Sequence, residues 1–145
     1  MVALLEHIEF KRADLDSLPL VKQFFKKNGM RAQAPKGDLI YIATINNIIV
    51  AALRLQPVNS NYLLRSMCVA ANHRHQGIGS ALLQNLQNKL NQINCYSFPY
   101  RHLTEFYSRA FFQHCEVESA PEAIADKFKR YCNSGKKICL MKHQA

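Results

Sequence analysis

From Arg74 to Ser80 the sequence reads Arg-His-Gln-Gly-Ile-Gly-Ser, and these residue types in this order could hold an anion. The segment stands where a predicted strand, Tyr62 to Val69, gives way to a helix with Leu82, Leu83, Leu86, Leu90 and Ile93 on one side. At such a junction the first N–H groups of the helix lack partners and converge on one spot, and the helix dipole adds partial positive charge there. Gly77 and Gly79 remove side chains that would keep a ligand off the backbone. Arg74 and Gln76 bring side-chain donors, so a phosphate or pyrophosphate is the ligand this turn suits. It is neither of two better-known phosphate motifs. Ser80 follows Gly79 rather than Lys, and a dinucleotide fingerprint needs three glycines after an early strand.

A second group with chemical potential lies in a predicted helix from His102 to Cys115, dense in Phe106, Tyr107, Phe111 and Phe112. A phenol such as Tyr107 can donate a proton while staying neutral at physiological pH, although core packing explains an aromatic helix equally well. His73 and His75 form a His-x-His pair, but no third ligand stands nearby, so no metal site is assigned. Cys68 has no identifiable basic partner and reads as a structural thiol.

The elements that must position these residues follow from periodicity and turn chemistry. His7 to Arg12 reads as a strand, and Asp14 or Asp16 can cap a helix through Leu18, Leu20, Val21, Phe24 and Phe25 that stops at Asn28-Gly29. Leu39–Ile45 and Ile48–Gln56 read as strands joined by Asn46-Asn47, a pair that tolerates the positive φ of a two-residue hairpin turn. Asn94 to Pro99 reads as a strand, Glu122 to Tyr131 as a fourth helix, and Lys137 to Lys142 as a closing strand. The order β-α-β-β-β-α-β-α-α-β implies an α/β (α+β) sandwich: front hairpins pair antiparallel, and the strand–helix–strand unit over 62–98 makes a parallel neighbour.

Composition bounds the rest. The 145 residues suit one domain spanning 1–145, with no repeat and no Pro/Gly/Ser-rich linker. Hydrophobic residues at 48% and charged residues at 20% argue against disorder. Nineteen Lys and Arg against ten Asp and Glu give +9, which asks for an anionic partner without naming it. Five cysteines cannot all pair, so reduced thiols in a cytoplasmic protein are expected. Met1 to Phe10 carries Glu6 and Glu9 and lacks the apolar run of a signal peptide, and Leu39–Leu53 is too short to span a bilayer.

The turn resembles the signature of the GNAT superfamily of N-acyltransferases, which use acyl-coenzyme A: a strand ending in Val, a short link, then Arg/Gln-x-x-Gly-x-Gly/Ala opening a helix. Val69, Arg74, Gly77, Ile78 and Gly79 stand in that pattern, and Phe106-Tyr107-Ser108-Arg109-Ala110-Phe111-Phe112 is similar to the family's Phe-Tyr-x-x-x-Gly-Phe segment. The resemblance implies a mixed, mostly antiparallel central sheet flanked by helices, with strands splaying near Val69 and Cys95 at the acyl-CoA site. It implies that Met67, Cys68 and Val69 hold the pantetheine arm and polarise the thioester carbonyl. The pyrophosphate would then rest on the N–H groups of Arg74, His75, Gln76, Gly77, Ile78, Gly79 and Ser80. It also implies that Tyr107 protonates the departing thiolate of coenzyme A. Departures are Phe111 for the family Gly, Ala71 for a Pro, and Tyr100 for an Asn. No acid stands on the motif strand, where Arg65 and Ser66 occur; Glu105, His102 and His73 are candidate bases by nearness in sequence.

The leading expectation is therefore transfer of acetyl from acetyl-CoA to a primary amine by direct attack in a ternary complex. The acceptor is a small molecule or peptide. Lys22, Lys26, Lys27, Arg31 and Lys36 around the first helix favour an anionic or carboxylate-bearing one. A non-catalytic acyl-CoA-binding regulatory module is the alternative. Nucleic acid ranks last, because the basic residues are scattered and no reading motif is present; no membrane partner is expected.

Overall fold

In the computed structural model residues 7–144 are described; residues 1–6 of the stretch read above as unsuited to a leader lie outside the described residues. Seven strands form one mixed, mostly antiparallel sheet in the order β1-β2-β3-β4-β5-β7-β6. They are β1 (Glu9–Arg12), β2 (Leu39–Ile45), β3 (Ile48–Val58), β4 (Asn61–Val69), β5 (Cys95–Ser97), β6 (Phe112–His114) and β7 (Met141–His143). The described residues hold five α-helices: α1 (Leu18–Lys27), α2 (Ile78–Asn85), α3 (Gln87–Leu90), α4 (Thr104–Ser108) and α5 (Glu122–Asn133). No helix among them is long and apolar enough to cross a membrane. The chain divides into two compact units, Met1–Gln56 with Arg65–Leu86, and Pro57–Leu64 with Gln87–Ala145.

In the first unit Asp14 accepts a hydrogen bond from the Ser17 N–H at 2.9 Å, capping the turn that leads into α1. That helix buries Val21, Phe24 and Phe25 against Ile40, Ile42, Ala52 and Cys68. Each phenylalanine removed from water contributes about 2–3 kcal/mol, enough to fix the face a helix turns inward. β1, β2 and β3 pair antiparallel. Asn46 and Asn47 take φ of 50° and 66°, as the tight turn requires.

The second unit packs Val58, Leu63, Tyr96, Ile124 and Leu140 into its own core, with Phe128 of α5 edge-on to Phe98 at 5.4 Å. β4 and β5 pair in parallel over Tyr62–Leu64 and Cys95–Ser97. Cys95, expected where strands part, instead pairs with Tyr62 at the start of β5. The expected helix His102–Cys115 is also corrected. It shrinks to α4, and Phe112–His114 becomes β6, antiparallel to β7. The aromatic spacing mimics a helical face, but Phe111 takes φ of 67° and stops the helix, after which pairing with a distant strand decides.

Candidate functional site

The turn after β4 is built from backbone. His75 takes φ of 63° and Gly77 of 81°, and left-handed residues in succession with right-handed ones curl N–H groups into an anion-binding concavity. Gly77 caps α2 and has no side chain to satisfy the helix. The first bond back to it comes from Ala81, 3.0 Å from the Gly77 carbonyl. The N–H groups of Ile78, Gly79 and Ser80 precede that bond and have no intrahelical acceptor. A Cβ on Gly77 would meet no protein atom within 4 Å, so its φ rather than crowding calls for glycine. This donor set fits a phosphorylated ligand such as coenzyme A.

Two side chains of the turn add to this geometry. Arg74 donates from Nε to the Val69 carbonyl at 3.0 Å, closing the link between strand end and turn. Gln76 has Oε1 buried with no hydrogen-bond partner among the described residues. Cys68, buried beside Val69, does have a basic neighbour: burial pushes its thiol up while the charge and hydrogen bond of Arg74 oppose the rise. The net direction is upward, so the thiol stays protonated, which suits packing rather than nucleophilic attack. The structure thus brings Met67, Cys68, Val69 and Arg74 to Ser80 together in the first unit.

Tyr107 belongs to the second unit. It is 7% exposed and lies edge-on to Phe106 at 5.2 Å and to Phe112 at 5.7 Å. Burial pushes its phenol well above the ordinary value, and Cys95 adds to the rise. A phenol so held is neutral at every physiological pH and keeps its proton to donate, so it does not act as a phenolate.

The candidate bases each have a neighbour of their own. Glu105 is exposed and paired at 2.8 Å with Arg109, the residue that follows α4. His102 is exposed and stacks on Tyr100 with ring centroids 6.1 Å apart. His73 meets the Asn72 side chain at 3.0 Å. No carboxylate stands on β4, and Asp38 is engaged by Arg54 at 2.6 Å. Sequence reasoning missed this Asp38–Arg54 pair. Its signal was a lone arginine in the apolar run Val50-Ala51-Ala52-Leu53-Arg54-Leu55, which demands a buried partner.

Residues 36–116 match the acetyltransferase (GNAT) domain, more than half of the chain. No curated protein matches the sequence. Among solved structures, N-acetylglutamate synthase from Neisseria gonorrhoeae, complexed with coenzyme A and L-arginine, superposes with a TM-score of 0.70 at 11% identity. That match covers 95% of this chain but only 33% of the synthase, so the chain spans about a third of its length. The ribosomal-protein-S18-alanine N-acetyltransferase from Escherichia coli gives a TM-score of 0.66 at 14% identity, covering 95% of this chain and 96% of that one. An Arabidopsis thaliana protein in complex with the bisubstrate analogue CoA-Ac-MVNAL gives 0.66 at 15% identity, covering 96% and 99%. At these identities the structures speak for the fold, and with the domain match they lead to one conclusion: the chain belongs to the GNAT acetyltransferase family.

Proposed function

We propose that this chain is an acetyl-CoA-dependent N-acetyltransferase that moves acetyl to a primary amine by direct attack in a ternary complex. The observation that carries the reading is the uncapped N-terminus of α2, where His75 and Gly77 are left-handed and three helix N–H groups are open. Those groups, with the backbone of Arg74 to Ser80, would take the pyrophosphate of coenzyme A. Met67 to Val69 would hold the pantetheine arm and the thioester carbonyl, and Tyr107 would protonate the leaving thiolate. The enzyme's contribution is then positioning and oxyanion donation, with no covalent intermediate on Cys68.

Lys22, Lys26, Lys27, Arg31 and Lys36 are exposed on and after α1 and favour an amine that also carries a carboxylate or another anionic group. The odd count of five cysteines, which cannot all pair, supports a reducing compartment such as the cytoplasm. The missing acid on β4 favours a second reading, a binding module that holds acyl-CoA without consuming it.

Isothermal titration with acetyl-CoA tests the core of the proposal; no heat of binding would sink both readings. Release of free coenzyme A across a panel of amines separates them, because a pure binding module releases none with any acceptor. Tyr107→Phe should lower kcat by about a hundredfold or more while leaving coenzyme affinity nearly unchanged. An unaltered rate removes the tyrosine from the mechanism.

A further inference from the structure

Three residues of the first unit form a chain with no part in the chemistry above. Arg54 of β3 donates from Nη1 to Asp38 Oδ2 at 2.6 Å and from Nε to Ser66 Oγ at 2.9 Å. Arg54 and Asp38 are 7% and 8% exposed. Ion pairs buried to this degree lose most of their Coulombic gain to desolvation, so stability alone explains poorly why one is kept. What the pair touches supplies another reason. Ser66 sits inside β4 with φ of 61°, a left-handed conformation that strands do not use and that serine adopts only against steric resistance. A residue of this kind inside a strand turns the following peptides and re-aims the side chains beyond it, as bulges do. Around it Arg65, Ser66 and Met67 are all half-buried, and Cys68 is buried.

We propose that Asp38 and Arg54 are positioning residues: a clamp that holds Ser66 left-handed and so aims the Met67–Val69 backbone at the acyl group. This rests on the reading of Met67–Val69 as the acyl-binding strand end. The carboxylate fixes the guanidinium, whose planar fork then presents Nε at one angle to the serine oxygen. The serine is held from its side chain, and its backbone follows. Without the tie, residue 66 relaxes toward extended φ and the next three peptides rotate with it.

The test uses the full-length protein with Asp38→Asn, Ser66→Ala, Arg54→Lys, and Asp38→Asn combined with Ser66→Gly. Glycine reaches positive φ unaided, so it restores the strand without restoring the clamp. In Asp38→Asn and Ser66→Ala, kcat/KM for acetyl-CoA transfer should fall about a hundredfold, mostly through kcat, as misplaced reacting groups predict. Adding Ser66→Gly to Asp38→Asn should recover at least about a tenth of the wild-type value. A double variant as weak as Asp38→Asn alone overturns the proposal. A second readout does not depend on acetyl-CoA: the φ-sensitive NMR couplings and amide shifts of residues 66–69. These should move in Ser66→Ala and Arg54→Lys, and Met67–Val69 should return toward wild type in the double variant; couplings that stay put in Ser66→Ala overturn the clamp. If wild-type protein binds no acetyl-CoA, the functional reading fails while the couplings still decide the clamp. If Asp38→Asn does not fold, Ser66→Ala and Arg54→Lys carry the test.

Discussion

Ser66 and Phe111 both hold a left-handed backbone that their side chains resist, and they are held in opposite ways. Ser66 (φ 61°) is tied through its side chain to a buried ion pair within the first unit. Phe111 (φ 67°) has a side chain 49% exposed. It is fixed by its backbone, donating to the Ser108 carbonyl at 3.0 Å and accepting from the Gln144 N–H at 2.8 Å. One bend is imposed by side-chain chemistry and the other by main-chain pairing. The lesson is that a left-handed site can be written in the sequence as a distant charged pair, or as nothing more than the neighbouring strand.

The comparison breaks most easily at its buried end. Asp38→Ala leaves Arg54 charged and unpaired in the interior, and urea denaturation should show a loss of about 3–5 kcal/mol. A loss below about 1 kcal/mol, as for surface pairs, would mean that water reaches the guanidinium and that the side-chain tie is weak.

Glycine substitution then separates the two sites by sign. Phe111→Gly relieves a left-handed penalty of about 1–2 kcal/mol and gives up a half-exposed ring, so the melting temperature should rise. Ser66→Gly relieves the same penalty but deletes an acceptor for a charged donor, worth about 1.5–3 kcal/mol, so it should be neutral or destabilising. Equal shifts at both positions would erase the distinction.

The smallest effect is one of pH. His143 follows Lys142 in β7 and precedes the Gln144 N–H that fixes Phe111; it is buried against Phe112 and meets Gln87 Oε1 at 2.8 Å. Burial holds its pKa below the ordinary 6.5. Below pH 6.5 the unfolded chain therefore binds more protons than the folded one, so this contribution is intact above that pH and declines as pH falls. Thermal melts should drop between about pH 7 and about pH 5, and His143→Gln should flatten the decline. An unchanged slope in the variant would remove the histidine as its source.

Much of the fold could be read before any coordinates. Asn46-Asn47 sits where only a positive-φ turn joins two strands, and Leu39–Ile45 emerged with the bounds expected. The glycine turn was legible because the left-handed φ of Gly77 calls for a residue type that few other purposes require. Phe112–His114 was not: three residues cannot display an alternation, and their strand character comes from His143, Lys142 and Met141 across the sheet. Asp38 and Arg54 stand sixteen positions apart on a loop and a strand, and no periodicity links them. Their pairing is a tertiary fact that only the unsatisfied need of Arg54 foretold. The role of Tyr107 was suggested by likeness and rests on likeness still, with its burial now added.

The turn from Arg74 to Ser80 has an evolutionary consequence. What it offers an anion is main-chain N–H, which every residue except proline carries. Most positions there can change their side chains without altering the donors, provided the left-handed residues keep their φ. Lineages sharing such a loop can therefore change the side chains between its glycines while the shape persists.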